Sequence, residues 1–322
     1  MTESSKAELS SLAASAFGGP GWSPRAASLR QEVGTLWGAC GLQSESATLR
    51  SVLLHRPGQE LCGIEDPDAA LMLARIDARL AREQHDTMAD AYRSAGVAVH
   101  LIEPDALPPP NLMFAADLLF MTPEGAIVGR PASTVRAGEE RFAARALARL
   151  GIPILRTVHG SAVFEGADAA WLDAQTVLIA TGLRTNPQGA HQVAATLEEM
   201  GVAAIQVGLP HGAMHLMGVL RFVAADLAIA WPGRVPWAAL EALRQHGYEV
   251  LLLPLEVSPG MALNFVTLGP RRILMPAGNP ITQAFYEQAG IEVRTVDISE
   301  LTKAAGGVGC MTAVLQRDES AP

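Results

Sequence analysis

Along this chain, stretches whose apolar positions mark one face of a helix run into a glycine and then directly into a short apolar, β-branched segment. The arrangement occurs five times: RSAGVAVHLI around Gly96, ARLGIPILRT around Gly151, EEMGVAAIQV around Gly201, RQHGYEVLLL around Gly247 and EQAGIEVRTV around Gly290. Glycine lacks Cβ, so it can take the left-handed conformation that stops a helix and returns the chain toward a sheet. The intervals between these glycines are 55, 50, 46 and 43 residues, the spacing of a repeated supersecondary unit. Length alone, at about 150 residues per domain, would suggest about two domains. The repeat overrides that count and predicts one α/β architecture, in which five such units close into a ring and their loops converge on one axis.

Around the repeats, the pattern predicts a first core strand at residues 48–56 (TLRSVLLHR) and a long helix from Pro67 to Ser94. A rigid proline connector follows at 104–111 (PDALPPPN). LLFMT and GAIVG, on either side of Pro123-Glu124-Gly125, read as a hairpin. A helix is predicted over 138–150 and a last strand over MTAVLQ. Residues 1–47 are rich in Ala, Ser and Gly and carry no repeat signature. They are predicted to be a partly ordered N-terminal extension to a single catalytic domain spanning 48–322.

Composition narrows the function. The chain is 49% hydrophobic and 18% charged, ample for a large core, and its net charge of -9 argues against a nucleic-acid partner. No apolar run approaches the roughly 20 residues that span a bilayer, and the first residues lack the basic-then-apolar build of a signal peptide. A cytoplasmic location is therefore expected, with no membrane partner. Three cysteines, Cys40, Cys62 and Cys310, are too few and scattered for a disulfide framework, and no Cys/His cluster has zinc-like spacing.

Four segments carry candidate chemistry. GGVGCMT (306–312) sets Cys310 after three glycines, a loop whose backbone can approach a ligand closely and whose amides can stabilise an anion. NLMFAADLLF (111–120) places Asp117 inside an apolar strand, where a carboxylate must be paired. FEGADAAWLD (164–173) sets Glu165 and Asp168 around a small-residue turn, and GAMHLMGVLRF (212–222) holds His215 in an apolar setting. Each also has a structural reading: a buried thiol after a glycine turn, a bulge cap, turn acids, a core histidine. What favours chemistry is that the four fall at corresponding places of successive repeats. LRTNPQG (183–189) adds Arg184 on a strand-ending turn.

The set, in this order along residues 48–317, resembles the guanidino-group-modifying enzyme superfamily of arginine deiminase, dimethylarginine dimethylaminohydrolase and the amidinotransferases. The shared segments are LLHRPG, N-x-x-F-x-x-D, E-G-x-D, R-T-N, H-L, N-x-x-x-x-G followed by MPAGNP, and G-G-x-x-C-M-T. The resemblance implies a five-bladed, pseudo-symmetric α/β propeller, the pentein fold, in agreement with the repeat count. It implies a catalytic trio of Cys310, His215 and Glu165, with Asp117 against the guanidinium and Asp168 as a supporting acid. Arg136 and Arg184 would hold a substrate carboxylate, and Asn111 would line the same end. The implied reaction is attack by Cys310 on an amidino carbon, giving a covalent thiouronium that water hydrolyses. No metal or organic cofactor is called for, since side chains supply every group, and the expected partner is a small-molecule substrate. A homo-oligomer is left open.

Two departures bear on the substrate. This chain reads His215-Leu216-Met217 where arginine deiminases and amidinotransferases read H-L-D, and Ala115-Ala116 where arginine deiminases commonly have Thr-Arg. Both make the site more apolar. An N-substituted guanidine or a neutral amidine-like heterocycle, such as a nitro-substituted imidazole, stands beside arginine. Amidinotransferase and dihydrolase outcomes stand as alternatives, and a noncatalytic ribosome-associated factor of the same fold is the alternative from another class. His55 is read as a strand-end anchor, Cys40 and Cys62 as spare thiols, and His159 and His211 as entrance or surface residues. Met113, Met121, Met214, Met217 and Met275 are read as core fillers.

Overall fold

All five helix-stopping glycines have positive φ, between 69° and 80°, in a computed structural model that describes residues 12–254, 261 and 263–319. The stop is the same each time. The amide after the glycine donates to the carbonyl five residues back: Val97 to Tyr92, Ile152 to Leu147, Val202 to Leu197, Tyr248 to Leu243 and Ile291 to Tyr286. All five carbonyl-bearing residues are fully buried, so each stop combines the hydrogen bond with an apolar contact, as in a Schellman motif.

Each helix belongs to a three-stranded sheet, and five such sheets make the ring. The second blade shows the plan. Strand Leu119–Thr122 turns into Gly125–Val128, the helix Glu140–Arg149 crosses over, and Ile154–Thr157 returns parallel to the middle strand. The third to fifth blades repeat it with the strand triplets Ala169–Asp173, Thr176–Thr181, Ala203–Gly208; Leu220–Ala224, Leu227–Ala230, Glu249–Leu252; and Val266–Gly269, Arg272–Pro276, Glu292–Val296. The middle strands are almost wholly buried and read as continuous apolar runs, because helices and neighbouring strands cover both faces. The strands after the glycines are exposed or half-buried at most positions, as edge strands are.

The first blade is made from both ends of the described chain. Leu49–Leu54 pairs parallel with Ala98–Leu101 and antiparallel with Ala313–Arg317, so the last strand closes the ring. Residues 38–47 lie along this closure. Gly41 donates to Leu315 and accepts from Arg317, Gly38 donates to Gly151, and Cys40 and Leu42 are buried in the core.

Two expectations need correction. The long helix begins at Ala78, not Pro67: Asp77 caps it by accepting from the amides of Arg79 and Leu80, and residues 67–76 form turns, bends and irregular chain. In those turns Leu71 has φ of 60°, and Leu73 donates to the Lys303 carbonyl. Asp117 does not interrupt a strand either. It ends a tight 3-10 turn, Ala115–Asp117, which the two small alanines permit just before the strand begins at Leu119.

Candidate active site

The turn that leads into the innermost strand of each blade carries the polar residues. Asp117 precedes the strand at Leu119, Glu165 and Asp168 that at Ala169, His215 that at Leu220, Asn264 that at Val266, and Cys310 that at Ala313. Five-fold repetition thus delivers one or two functional groups per blade to the axis. A narrow cavity with about 30 Å³ of free space, room for roughly one water, collects Asn111, Asp117, Arg136, Arg184, His215 and Cys310. Leu71, Phe114, Met214 and the run Ala304-Ala305-Gly306 complete its wall.

Cys310 sits in a single helical turn, Val308–Met311. Its glycines are there for packing: a Cβ on Gly306 would come within 2.3 Å of the Phe114 ring, and one on Gly307 or Gly309 within 3.0 Å of the Asn264 side chain. Asn264 holds the cysteine twice. Its Nδ2 donates to Sγ at 3.1 Å, and its Oδ1 accepts from the Cys310 amide at 3.2 Å. That amide is therefore not free for a ligand, but the Gly307 amide favours the thiolate, as expected of an amide in this loop. Burial and the Asp117 carboxylate push the thiol above its ordinary value, outweighing the Gly307 amide, Asn264 and the Arg221 guanidinium.

His215 is buried, with Nε2 2.6 Å from Glu165 Oε2 and 3.7 Å from Asp117 Oδ1. Burial opposes its charge, but the Asp117, Asp168 and Glu165 carboxylates overcome that and raise its pKa, so the resting ring is an imidazolium. Burial would likewise raise the Glu165 pKa; His215, Arg136 and Arg184 together hold it low. Glu165 does not reach the cavity wall. It stands behind the ring and also accepts from the Ala132 amide at 3.0 Å. Asp168 is deeper still, accepting from the Thr185 hydroxyl at 2.7 Å and the Leu216 amide at 3.0 Å. It pins the turn that presents His215, while burial raises its pKa to about 6.

Arg136 was expected against a substrate carboxylate. Its guanidinium instead lies among the protein's own acids: Nη1 is 2.5 Å from Asp117 Oδ2 and 3.6 Å from Glu165 Oε2, and Nε and Nη2 are 2.9 and 2.8 Å from Glu139 Oε2. Removing one partner from a buried ion pair costs about 3–5 kcal/mol, so this cation is bound into the wall. Glu139, which the sequence reading passed over, sits three residues after Arg136; burial raises its pKa to about 7. Arg184 also leans on Glu165, with Nη1 3.3 and 3.4 Å from its oxygens, while Nη2 faces the Met214 sulfur at 3.6 Å. Met214 is 41% exposed, at the rim rather than in the core where it was expected. Asn111 donates to the Ala70 carbonyl at 2.8 Å, tying the 67–76 turns over the cavity. Among the described residues, Asn111 Oδ1 and Asp117 Oδ1 are buried acceptors without a hydrogen bond, the latter facing the imidazolium at 3.7 Å.

The ligand atoms of Asp117, Glu165 and His215 lie within 4.8 Å of one another and could hold a metal ion. The Arg136 guanidinium and the imidazolium already supply positive charge there. His55, bonded to Glu60 at 2.9 Å and the Ile102 carbonyl at 3.3 Å, anchors a strand end; His159 and His211 are exposed.

The family model for N,N dimethylarginine dimethylhydrolase, eukaryotic, matches residues 73–317. The chain belongs to that family. It is accordingly a hydrolase of carbon–nitrogen bonds outside peptides, within the guanidino-group-modifying superfamily. A dimethylarginine dimethylaminohydrolase of Pseudomonas aeruginosa is 28% identical over 240 residues, covering 74% of this chain and 90% of that protein. A solved dimethylarginine dimethylaminohydrolase, a histidine-to-glycine variant in an adduct with S-methyl-L-thiocitrulline, superposes with a TM-score of 0.70 at 26% identity, covering 82% of this chain and 99% of its own. An amidinotransferase of Microseira wollei from the saxitoxin pathway shares the fold, with a TM-score of 0.73 at 14% identity over 87% of this chain and 98% of its own.

In this family member the free thiol should ionise late. Alkylation of Cys310 by iodoacetamide is expected to rise only above the ordinary thiol pKa of about 8.5, and the rise should move to lower pH when a guanidinium ion occupies Asp117 and offsets its field. Peptide-resolved mass spectrometry separates Cys310 from the exposed Cys62. A midpoint below about 7 in the unliganded protein would contradict this ordering.

Proposed function

We propose that the protein hydrolyses a C–N bond at an amidino carbon through a covalent thiouronium on Cys310. The observation that carries the reading is convergence: Cys310, His215 and Asp117, from three blades, line one cavity, with Glu165 2.6 Å behind the imidazole. Asp117 Oδ1 accepts an N–H of the substrate amidine. A cationic substrate there lowers the thiol pKa, and the thiol proton leaves to solvent. Sγ then bonds to the amidino carbon, the C–N bond to the leaving group breaks, and the His215 imidazolium protonates a departing amine. The neutral ring next takes a proton from water as its oxygen attacks the same carbon, the S–C bond breaks, and a urea-type product departs. Rapid quenching should show the adduct mass on the Cys310 peptide; turnover with the adduct on another residue, or with none, would remove the scheme.

The surroundings favour a second reading of the substrate. An amino-acid head needs a free cation for its carboxylate, yet Arg136 and half of Arg184 are already held by acids. What is left is one carboxylate oxygen, one amide oxygen, the Nη2 edge of Arg184 and an apolar wall. That set suits a flat, amidine-like heterocycle without a charged head. Ring N–H donates to Asp117, and an oxygen-bearing leaving group such as nitro faces Arg184 and departs as nitrite, taking no proton; the thiol proton and then the His215 proton leave to solvent, which frees the His215 ring to take a proton from the attacking water. Nitroimidazoles, arginine, methylated arginines and agmatine should be compared for nitrite, amine and ammonia release. The headless compounds are expected to exceed arginine by about tenfold or more in kcat/KM. The reverse order would restore an amino-acid substrate while leaving the cysteine chemistry standing.

A further inference from the structure

A second cavity borders the Cys310 turn at Gly309 and Thr312 and shares no lining residue with the first. It lies among the innermost strands, and Arg221, Arg317 and Glu45, the last from the segment before the first strand, all line it. It offers about 60 Å³ of free space, enough for a small ion with a water.

The charges in it do not balance. Arg317 is buried, and its Nη1 donates to the Ala47 and Thr267 carbonyls at 2.7 and 2.8 Å. Its Nε–H is buried with no partner among the described residues. Arg221 donates to the Phe265 carbonyl and lies over the Phe265 ring, 5.3 Å from its centroid. Neither guanidinium forms an ion pair within 4.0 Å of a carboxylate among the described residues. Glu45 is the acid lining this cavity, and its Oε1 accepts from the Trp171 amide at 3.1 Å. Burial draws the Arg317 pKa down to about 10, Glu45 resisting and Arg221 adding to the fall.

Buried guanidinium ions are ordinarily paired, because solvation lost on burial must be replaced. A water would accept from Nε–H but bring no charge; an anion does both. We infer that this cavity is a binding site for a small monovalent inorganic anion of halide or nitrite size, held by Arg221 and the unpartnered Nε–H of Arg317.

Bromide is the probe. Crystals of the whole chain grown in sodium bromide should show an anomalous peak within about 3.5 Å of Arg317 Nε. In solution, bromide should raise the melting temperature of the wild type above its value in sodium gluconate at equal ionic strength, and Arg317→Met should lose that difference. Water density without an anomalous peak overturns the site, as does a peak unaccompanied by any bromide-specific stabilisation in solution, which is binding at crystal concentration only. Should Arg317→Met fail to fold, the two wild-type measurements still decide.

Discussion

Cys310→Ser is expected to lower turnover by about 10⁴-fold or more while leaving the fold unchanged. The hydroxyl occupies the place of the sulfur and keeps Asn264 as its neighbour, so the melting temperature should stay within a few degrees of the wild type. The chemistry cannot be kept. A serine needs a base to take its proton, and His215 is an imidazolium held by Glu165. The thiol, though raised by burial, still ionises far more easily than an alcohol. Steady-state release assays on purified variants measure this, and retention of more than about 1% of wild-type activity would rule out a nucleophilic Cys310.

His215→Asn is expected to cost about 10³-fold with a substrate whose amine must be protonated as it leaves. It should behave differently with a substrate that loses nitrite or a thiolate. There Sγ can displace the group unaided, but no base activates the water, so the covalent adduct should accumulate to near one per chain. Intact mass spectrometry after mixing tests it; a variant that turns over as fast as the wild type with either class would show that His215 is not the proton carrier. Folding should tolerate the change, because Glu165 keeps Arg136 and Arg184 as partners once the imidazolium is gone.

The ring was legible because each repeat ends in one local device, a glycine able to adopt positive φ, and such devices are written in single residues. The candidate site residues were legible as segments in order. Their meeting was not, since it depends on five turns aiming at one axis, and no spacing along the chain encodes that. Asn264 stood in a recognised segment, but nothing local linked it to a sulfur 46 residues away. The ion pairs of Arg136 were not legible for a related reason. Its pairing with Glu139 follows a spacing of three that was visible, yet its bond to Asp117 is tertiary, and together they hold the cation in the cavity wall. The helix expected from Pro67 was extended too far because Asp77, which starts it, was not weighed as a cap.

The strand that completes the first blade begins three residues after the cysteine. The sulfur thus reaches the imidazole and its carboxylates on the same short segment that seals the circle. Reactivity toward an amidine therefore requires that this segment has docked against the first strand.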